Sequence, residues 1–487
     1  MADLSYYHGV NLAESPDTPS VVRVSNFGVT FLNGIAPNAD PAAFPINEPK
    51  LVTSLGGAAA LGMAGSLQED VITYFGEGGS MLIVNRVASD NDAAVQQANL
   101  IGDPVARTGL YAALRAKALL GVTPRVLITA GVTGVWIEGG LTSVALTSGG
   151  QNLTEAPVVA FSGGGADAGK VLPTAVAVMG TGADAGTVVG ITITDAGKKM
   201  SAAPAIAFTG GGADPDKALP IAVANIGDVA NPFISALNTI LPPLRARAYI
   251  AGPNTTNDAA VRFRNTINGG RILVIDPLTL KNVDGVPVAK PVAPVFAGVR
   301  ARVVASSEGV SGSVSNKIIR TIDGVARSIT YPVDSNYLNE RQVSTIINER
   351  GGFRTWGSRL CTDIALWQFD SVRATADMVN ESLEDLYFQY VDRKFTKGNL
   401  KNMIEDGNAT LRTFKNNEDI LGGRVWLSDL NTPDLNSNGK VFLNVEFEPV
   451  GIMEQINLTT FRNILYYQLL LDEVRGAIEN GPLTLAA

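Results

Sequence analysis

Cysteine and histidine are almost missing from this chain. Its 487 residues include one cysteine, Cys361, and one histidine, His8. A single thiol excludes an internal disulfide and a thiolate-ligated metal. A single imidazole excludes a paired-histidine zinc site, and any serine triad or histidine base would depend on His8. Carboxylate, lysine or Mg²⁺ chemistry stays open. Charge is scarce as well, at 17% of residues against a usual ~25%. With Gly 51 and Pro 25, this points to β-rich structure whose surface is partly covered by other chains. Basic residues are in the minority, 38 against 46 acidic, for a net charge of −8. A nucleic-acid binder needs a basic face to displace counterions, so that class is disfavoured. No apolar run reaches the ~18 residues of a membrane span. The start, Met1-Ala2-Asp3-Leu4-Ser5, lacks the basic and apolar regions of a secretion signal, which predicts a chain that folds in the cytoplasm where it is made.

Hydrophobic residues are plentiful, at 46%, which argues against disorder, and the length predicts roughly two to four domains. The strongest organisational signal is a repeat. Val159-Ala160-Phe161-Ser162-Gly163-Gly164-Gly165-Ala166-Asp167 returns as Ile206-Ala207-Phe208-Thr209-Gly210-Gly211-Gly212-Ala213-Asp214, an offset of 208 − 161 = 47. The same offset carries Ala156-Pro157 to Ala203-Pro204, Lys170 to Lys217 and Leu172-Pro173 to Leu219-Pro220. Each copy reads as short alternating strands (Val144/Leu146, Val159/Phe161, Val176/Val178) between Gly-rich turns, so the repeats predict a small all-β module.

The flanks carry a different pattern. A helix is expected at Gly109–Leu114, a buried strand at Pro124–Thr129, and, after the repeats, helix, strand, helix and strand at Ile234–Leu241, Ala246–Ala251, Thr256–Asn268 and Arg271–Ile275. That alternation predicts a parallel α/β layer. About 100 residues inside its first strand–helix connection are too many for a loop, so the repeats are an inserted domain. Further on, the pattern predicts a long helix over Ser371–Arg393, a second over Gly398–Asn416, and a hairpin of Arg424–Leu427 with Val441–Phe447, for which Asn438-Gly439 is a turn signal. The first ~20 residues and last ~10 read as arms.

Several motifs have a functional and a bland reading. Gly164-x-x-x-x-Gly169-Lys170 matches most of a phosphate loop, but Val171 stands where Ser or Thr would hold Mg²⁺ and no helix follows, so a repeat turn explains it better. Gly180-x-Gly182-x-x-Ala185 is followed by β residues and is also read as a turn. Asp434-x-Asn436-x-Asn438-Gly439 begins like a calcium loop, but Val445 occupies its twelfth position, and the hairpin explains the same residues. Cys361 is read as a packed side chain and His8 as a contact residue of an arm. The cluster Arg393, Lys394, Lys397 and Lys401 straddles the junction of two helices, either as a solvated face compensating a helix dipole or as a basic patch for an acidic partner.

In their order and spacing, several stretches resemble the contractile tail sheath proteins of myophages, near those of P2-like phages and R-type pyocins. They are His8-Gly9-Val10, Ala36–Asp40 with Phe44–Pro49, Thr108-Gly109-Leu110 through Gly121–Leu127, and Arg350–Arg359. The resemblance spans nearly the whole chain outside the insert. It implies an α/β (α+β) multi-domain sheath fold with an inserted all-β repeat domain and extended terminal arms. The expected divisions are an N-terminal arm over 1–20, sheath core over 21–132, the insert over 133–230, more core over 231–345, a C-terminal tube-facing domain over 346–475 and a C-terminal arm over 476–487.

The resemblance also implies a function. Six-fold rings of the protein would stack around a rigid tube, and the sheath would contract from a metastable extended state to drive the tube through the host envelope for genome ejection. The implied partners are the protein itself, the tail tube protein, and baseplate and tail terminator or neck proteins. No cofactor, metal, catalytic residue, nucleic-acid contact or membrane insertion is implied. The implied location is the virion, after assembly in the host bacterial cytoplasm. Arms suited to strand addition would use Tyr6, Tyr7, His8, Val10, Leu12, Leu483 and Leu485 between subunits. Lys394, Lys397 and Lys401 are candidate tube contacts. A static coat or adhesin bearing β repeats, the sheath of a phage-derived injection device, and a carboxylate-dependent enzyme are the competing readings.

Overall fold

The structure is a computed structural model that describes residues 27–129 and 134–479. The chain forms two compact units, Met1–Gly451 and Ile452–Ala487.

The first unit opens with β1 (Thr30–Ile35), β2 (Lys50–Val52), α1 (Leu67–Gly76), β3 (Leu82–Val87) and α2 (Ala93–Ile101). The helix expected at Gly109 is a 3-10 helix, Gly109–Arg115, that runs into α3 (Ala116–Leu120) and then β4 (Val126–Thr129). The insert contributes β5 (Ile137–Ser148), β6 (Val158–Gly163), β7 (Thr174–Met179), β8 (Val188–Asp195), β9 (Pro204–Thr209) and β10 (Ile221–Val229). The layer resumes with α4 (Pro232–Leu244), β11 (Arg247–Ala251), α5 (Asn257–Asn265) and β12 (Ile272–Ile275). A small hairpin of β13 (Thr279–Val283) and β14 (Val286–Lys290) precedes α6 (Ala293–Val304), β15 (Gly324–Val325), α7 (Val333–Glu340), β16 (Val343–Asn348) and β17 (Phe353–Trp356).

The main sheet has the order β17-β16-β12-β11-β4-β1-β3-β2. Its centre is parallel, and β2 and β17 close the edges antiparallel. Both faces are buried, which is why these strands read as unbroken apolar runs. Alternate residues serve opposite faces: Leu32, Val84 and Ile128 meet α1 and α6, while Phe31, Ile83 and Leu127 meet the 3-10 helix, α4 and α5. Two of the polar exceptions bond each other. Asn85 Nδ2 donates to Asn33 Oδ1 at 2.8 Å and to the Gly109 carbonyl at 3.0 Å.

The 47-residue offset becomes a pseudo-two-fold arrangement in space. β6 and β9 pair antiparallel with Ala160 opposite Ala207, and β7 pairs with β8 as β10 pairs with β5. Each copy plugs the other: Leu153 packs on Gly211, and its counterpart Met200 packs on Gly164. The backbone repeats the exchange, with Thr154 N donating to Gly211 O at 3.1 Å and Ser201 N to Gly164 O at 3.2 Å. Glycine is required here because Gly164 and Gly211 both adopt φ +84°.

The rest of the unit is α8 (Asp370–Phe388), α9 (Lys397–Asn416), β18 (Ile420–Leu427), α10 (Pro433–Ser437) and β19 (Leu443–Pro449). α8 stops short of the expected Arg393. Asn438-Gly439 does not make a two-residue hairpin turn. It follows the short α10, with Gly439 at φ +76°, because Thr432 caps that helix by accepting from Leu435 N at 3.4 Å and Pro433 suits its first turn. In the second unit, α11 runs over Tyr466–Glu479, so the boundary expected between 475 and 476 falls inside a helix.

Candidate functional site

The small-molecule motifs resolve into structure. Lys170 Nζ donates to the carbonyls of Gly163 at 2.7 Å and Gly165 at 2.5 Å, and Lys217 repeats this with Gly212. The ammonium thus closes its own glycine loop and is not presented to a phosphate. Gly180 bridges to Ala185 within a turn. Asp434 is the second residue of α10, and its carbonyl accepts from Asn438 Nδ2 at 2.9 Å. Among the described residues no group of three or more His, Cys, Asp or Glu is placed to hold a metal. Cys361 is buried in the layer of α4 and α5. Burial pushes its thiol up to about 12, so it stays protonated and unreactive at neutral pH.

Tyr6, Tyr7, His8, Val10, Leu12, Leu483 and Leu485, expected in the arms, lie outside the described residues. Lys394, Lys397 and Lys401 are all exposed. They do not neutralise the end of α8, which stops at Phe388. Lys397 is instead the first residue of α9, and Lys401 follows one turn later. Cations at that end face the positive pole of the helix dipole and repel it, so stability alone does not account for them. Arg393 stacks on Tyr390, 5.0 Å from the ring centre.

Beside this cluster lies a groove of about 740 Å³ between α8, α9 and β19, lined by Leu383, Tyr387, Phe388 and Met403 and, at one side, by polar Arg245, Asn380 and Glu384. The Tyr390 hydroxyl donates to Asp406. Burial, and then that carboxylate, push Tyr387 and Tyr390 up to about 12. β18 and β19 pair only with each other, which leaves the outer edge of each strand without a strand partner among the described residues. In the second unit, the side chains of Leu458, Phe461, Leu469, Leu470, Val474 and Ile478 are exposed.

One constellation was not predicted. Arg125, Arg247 and Arg271 stand side by side where β4, β11 and β12 begin: Arg247 N donates to Arg125 O at 2.9 Å and Ala248 N to Arg271 O at 2.9 Å. All three guanidinium groups are met by α8. Arg247 contacts Asp370 at 2.8 Å, Arg271 grips Asp377 through two bonds of 2.6 and 2.8 Å, and Arg125 binds Glu381. Arg300 of α6 also approaches Asp370, at 3.6 Å, and Tyr249 donates to it at 3.0 Å. Burial lowers the Arg125 and Arg300 pKa values, against the pull of Glu381 and Asp370 respectively. The signal was in the sequence: an arginine opens three successive strands, and the carboxylates recur at helical spacing.

Comparison with known proteins supplies the context for these surfaces. Residues 362–461 match the family described as the phage tail sheath C-terminal domain. The chain is 22% identical over 472 residues to the tail sheath protein of Escherichia phage P2, covering 93% of this chain and 94% of that one. Residues 362–461 thus carry the family's C-terminal domain, and the chain as a whole is similar to phage tail sheath proteins. A prophage major tail sheath protein of Pseudomonas aeruginosa is 30% identical over 231 residues, a match that covers 46% of this chain and 59% of that protein. The fold is also that of a chain from the baseplate of the anti-feeding prophage in its contracted state, with a TM-score of 0.59 at 14% identity, covering 94% of this chain and 98% of that one. The family match spans α8, α9 and the β18–β19 ribbon, and it begins just after the Arg350–Arg359 stretch. Among the described residues no helix is long and apolar enough to cross a membrane.

Proposed function

We propose that this chain is the polymerising subunit of a contractile phage tail sheath, whose six-fold rings stack around the tail tube and shorten to drive it through the host envelope for genome ejection. The observation that carries this is the similarity to the P2 tail sheath protein over 93% of the chain. The proposed partners are other copies of the chain, the tube protein, and baseplate and tail terminator or neck proteins, met during assembly in the bacterial cytoplasm. The energy is stored in packing: two arrangements of the same folded subunits differ in interface free energy, and many subunits multiply a small difference. The free edges of β18 and β19 suit strand addition by an arm of another subunit, in which backbone hydrogen bonds supply affinity and alternating side chains supply register. Lys394, Lys397 and Lys401 are proposed to meet acidic residues of the tube. Exposed ion pairs contribute only ~0–1 kcal/mol each, and repetition supplies the total. The insert is proposed to project outward, away from the tube.

Electron microscopy of the protein co-expressed with its tube tests the reading. Tubes of two lengths are expected; a static lattice or monomers would overturn it. Removing residues 1–18 is expected to leave a folded subunit that builds no connected sheath. Deleting the insert by joining about Val132 to Asn231 is expected to preserve assembly and contraction. Charge reversal of the three lysines is expected to weaken co-assembly with the tube, as raised salt would. Normal co-assembly of the reversed protein at low and high salt would reduce the cluster to a solvated face. The Pseudomonas relative is a prophage protein, which favours a second reading, the sheath of a phage-derived injection device. Particles without capsid or DNA would select it.

A further inference from the structure

The contact between α8 and the end of the sheet where β4, β11 and β12 begin is built from charge where a helix normally offers apolar side chains. Asp370, Asp377, Glu381 and Glu384 project from one face of the helix, since their spacing of seven, four and three residues keeps them within about 60° of one another. Each has its own arginine: Arg247, Arg271, Arg125 and Arg245. The Arg247 and Asp370 side chains are 0% and 1% exposed, and those of Arg271 and Asp377 are 8% and 4% exposed. Buried ion pairs are weak evidence for stability, because desolvation offsets their attraction. Their best-supported role is to specify one arrangement among several of similar burial.

The uneven spacing makes that role concrete. If α8 slid by one turn in one direction, Arg271 would face Glu381 and Arg125 would face Asp385, but Arg247 and Arg300 would face Ala374 and lose their carboxylate in the interior. If it slid the other way, Arg271 would face Arg373. An evenly spaced ladder would tolerate such slips, and an apolar seam would tolerate them better. We infer that the strand-opening arginines and the carboxylates of α8 form a register lock that sets where the C-terminal helices and the β18–β19 ribbon stand on the α/β sheet. The lock thereby fixes the position of the Lys394–Lys401 cluster, six residues beyond the end of α8 at its nearest. It follows from the geometry alone and stands whether or not those lysines touch a tube.

The test is a distance measurement in the full chain. Spin labels are placed at Ser235→Cys on α4 and Asp385→Cys on α8, both exposed positions, and buried Cys361 does not take up label. One narrow distance is expected. The seven-fold neutral variant Arg125→Met, Arg247→Met, Arg271→Met, Arg300→Met, Asp370→Leu, Asp377→Leu and Glu381→Leu keeps bulk and removes the buried charges of the lock. It is expected to retain cooperative unfolding while the distance splits into populations about one helical turn, ~5 Å, apart. The reversed variant Arg125→Glu, Glu381→Arg, Arg271→Asp and Asp377→Arg is expected to recover the single native distance. A folded neutral variant with an unchanged narrow distance would overturn the lock. So would a reversed variant that slips or unfolds, and the reversed variant decides the matter if the neutral one does not fold.

Discussion

Strands β4 and β12 are buried at every position, whereas β6 and β7, whose apolar residues are Val, Ala, Phe and Met, leave every second side chain in water. The body sheet is sealed by helices on both faces, so its stability lies in side-chain burial. The insert's described buried apolar residues are few, Leu141, Met200 and Ala224 in one cluster and Leu153, Val188 and Phe208 outside it, and exchange between its two copies also holds it: glycine loops, reciprocal backbone bonds, and one lysine closing each loop. The comparison teaches that hydrophobic content alone does not say how a β region is stabilised. In one region large side chains are irreplaceable, and in the other the backbone conformation is.

The largest effect is expected in the body. Phe296 of α6 is fully buried against the sheet, and Phe296→Ala should cost about 3–5 kcal/mol by the transfer and cavity terms. Denaturant unfolding reads this, and a cost near zero would remove the contrast. In the insert the sensitive residue is a glycine. Gly212 has φ +94°, and a Cβ there would collide with Thr154 Oγ1. Gly212→Ala should cost about 1–3 kcal/mol, with faster amide exchange confined to 137–229 while β4, β11 and β12 keep their protection.

A smaller effect sharpens the comparison from the body's side. Asp70 on α1 is buried, and its Oδ2 has no hydrogen-bond partner. Burial, then Glu69, push its carboxyl up to about 8, against the pull of Lys290. The folded chain therefore holds a proton that the unfolded chain releases near pH ~4. This group's contribution is fully present below that pH and is lost as pH rises toward 8. Asp70→Asn should flatten stability over that window and add about 1–2 kcal/mol at pH 8, as read from melts at pH 5 and pH 8.

The smallest effect concerns the hinge between the two regions. Arg262 of α5 holds the insert's first and last strands by binding Glu138 and, at 2.8 and 3.0 Å, Asp228, and it lies 5.1 Å from the Trp136 ring centre. These groups are partly exposed, so Arg262→Ala should change stability by no more than about 1 kcal/mol. It should nevertheless widen the spread of insert positions in particle images. A sharp insert in the variant would show that the paired β5 and β10 fix its direction without Arg262.

Much of the fold was legible. β4, β11 and β12 read as buried strands because both faces of a parallel sheet are covered, and the 47-residue repeat announced the insert through its glycines. Two local readings failed for identifiable reasons. Asn438-Gly439 carries a hairpin signal, but Thr432 and Pro433 start a helix five residues earlier, and the glycine ends up just beyond that helix. Val391 keeps the apolar period and so predicts a helix that runs to Arg393. Val391 instead lies exposed in the loop that follows α8.

For the surfaces, residue types alone gave the exclusions and the location of the lysine cluster. The amino-acid sequence by itself determined the alternation of strands and helices, the repeat, and the scarcity of catalytic side chains, because these depend on spacing along the chain. Only the tertiary structure decided that the two repeats plug each other, that Lys170 serves its own loop, and that three arginines from separate strands meet one helix. Those facts depend on residues as much as 256 positions apart, as in Arg125 with Glu381. Spacing along a chain carries no record of which distant side chains will share one low-dielectric interior, where each buried charge must find a partner.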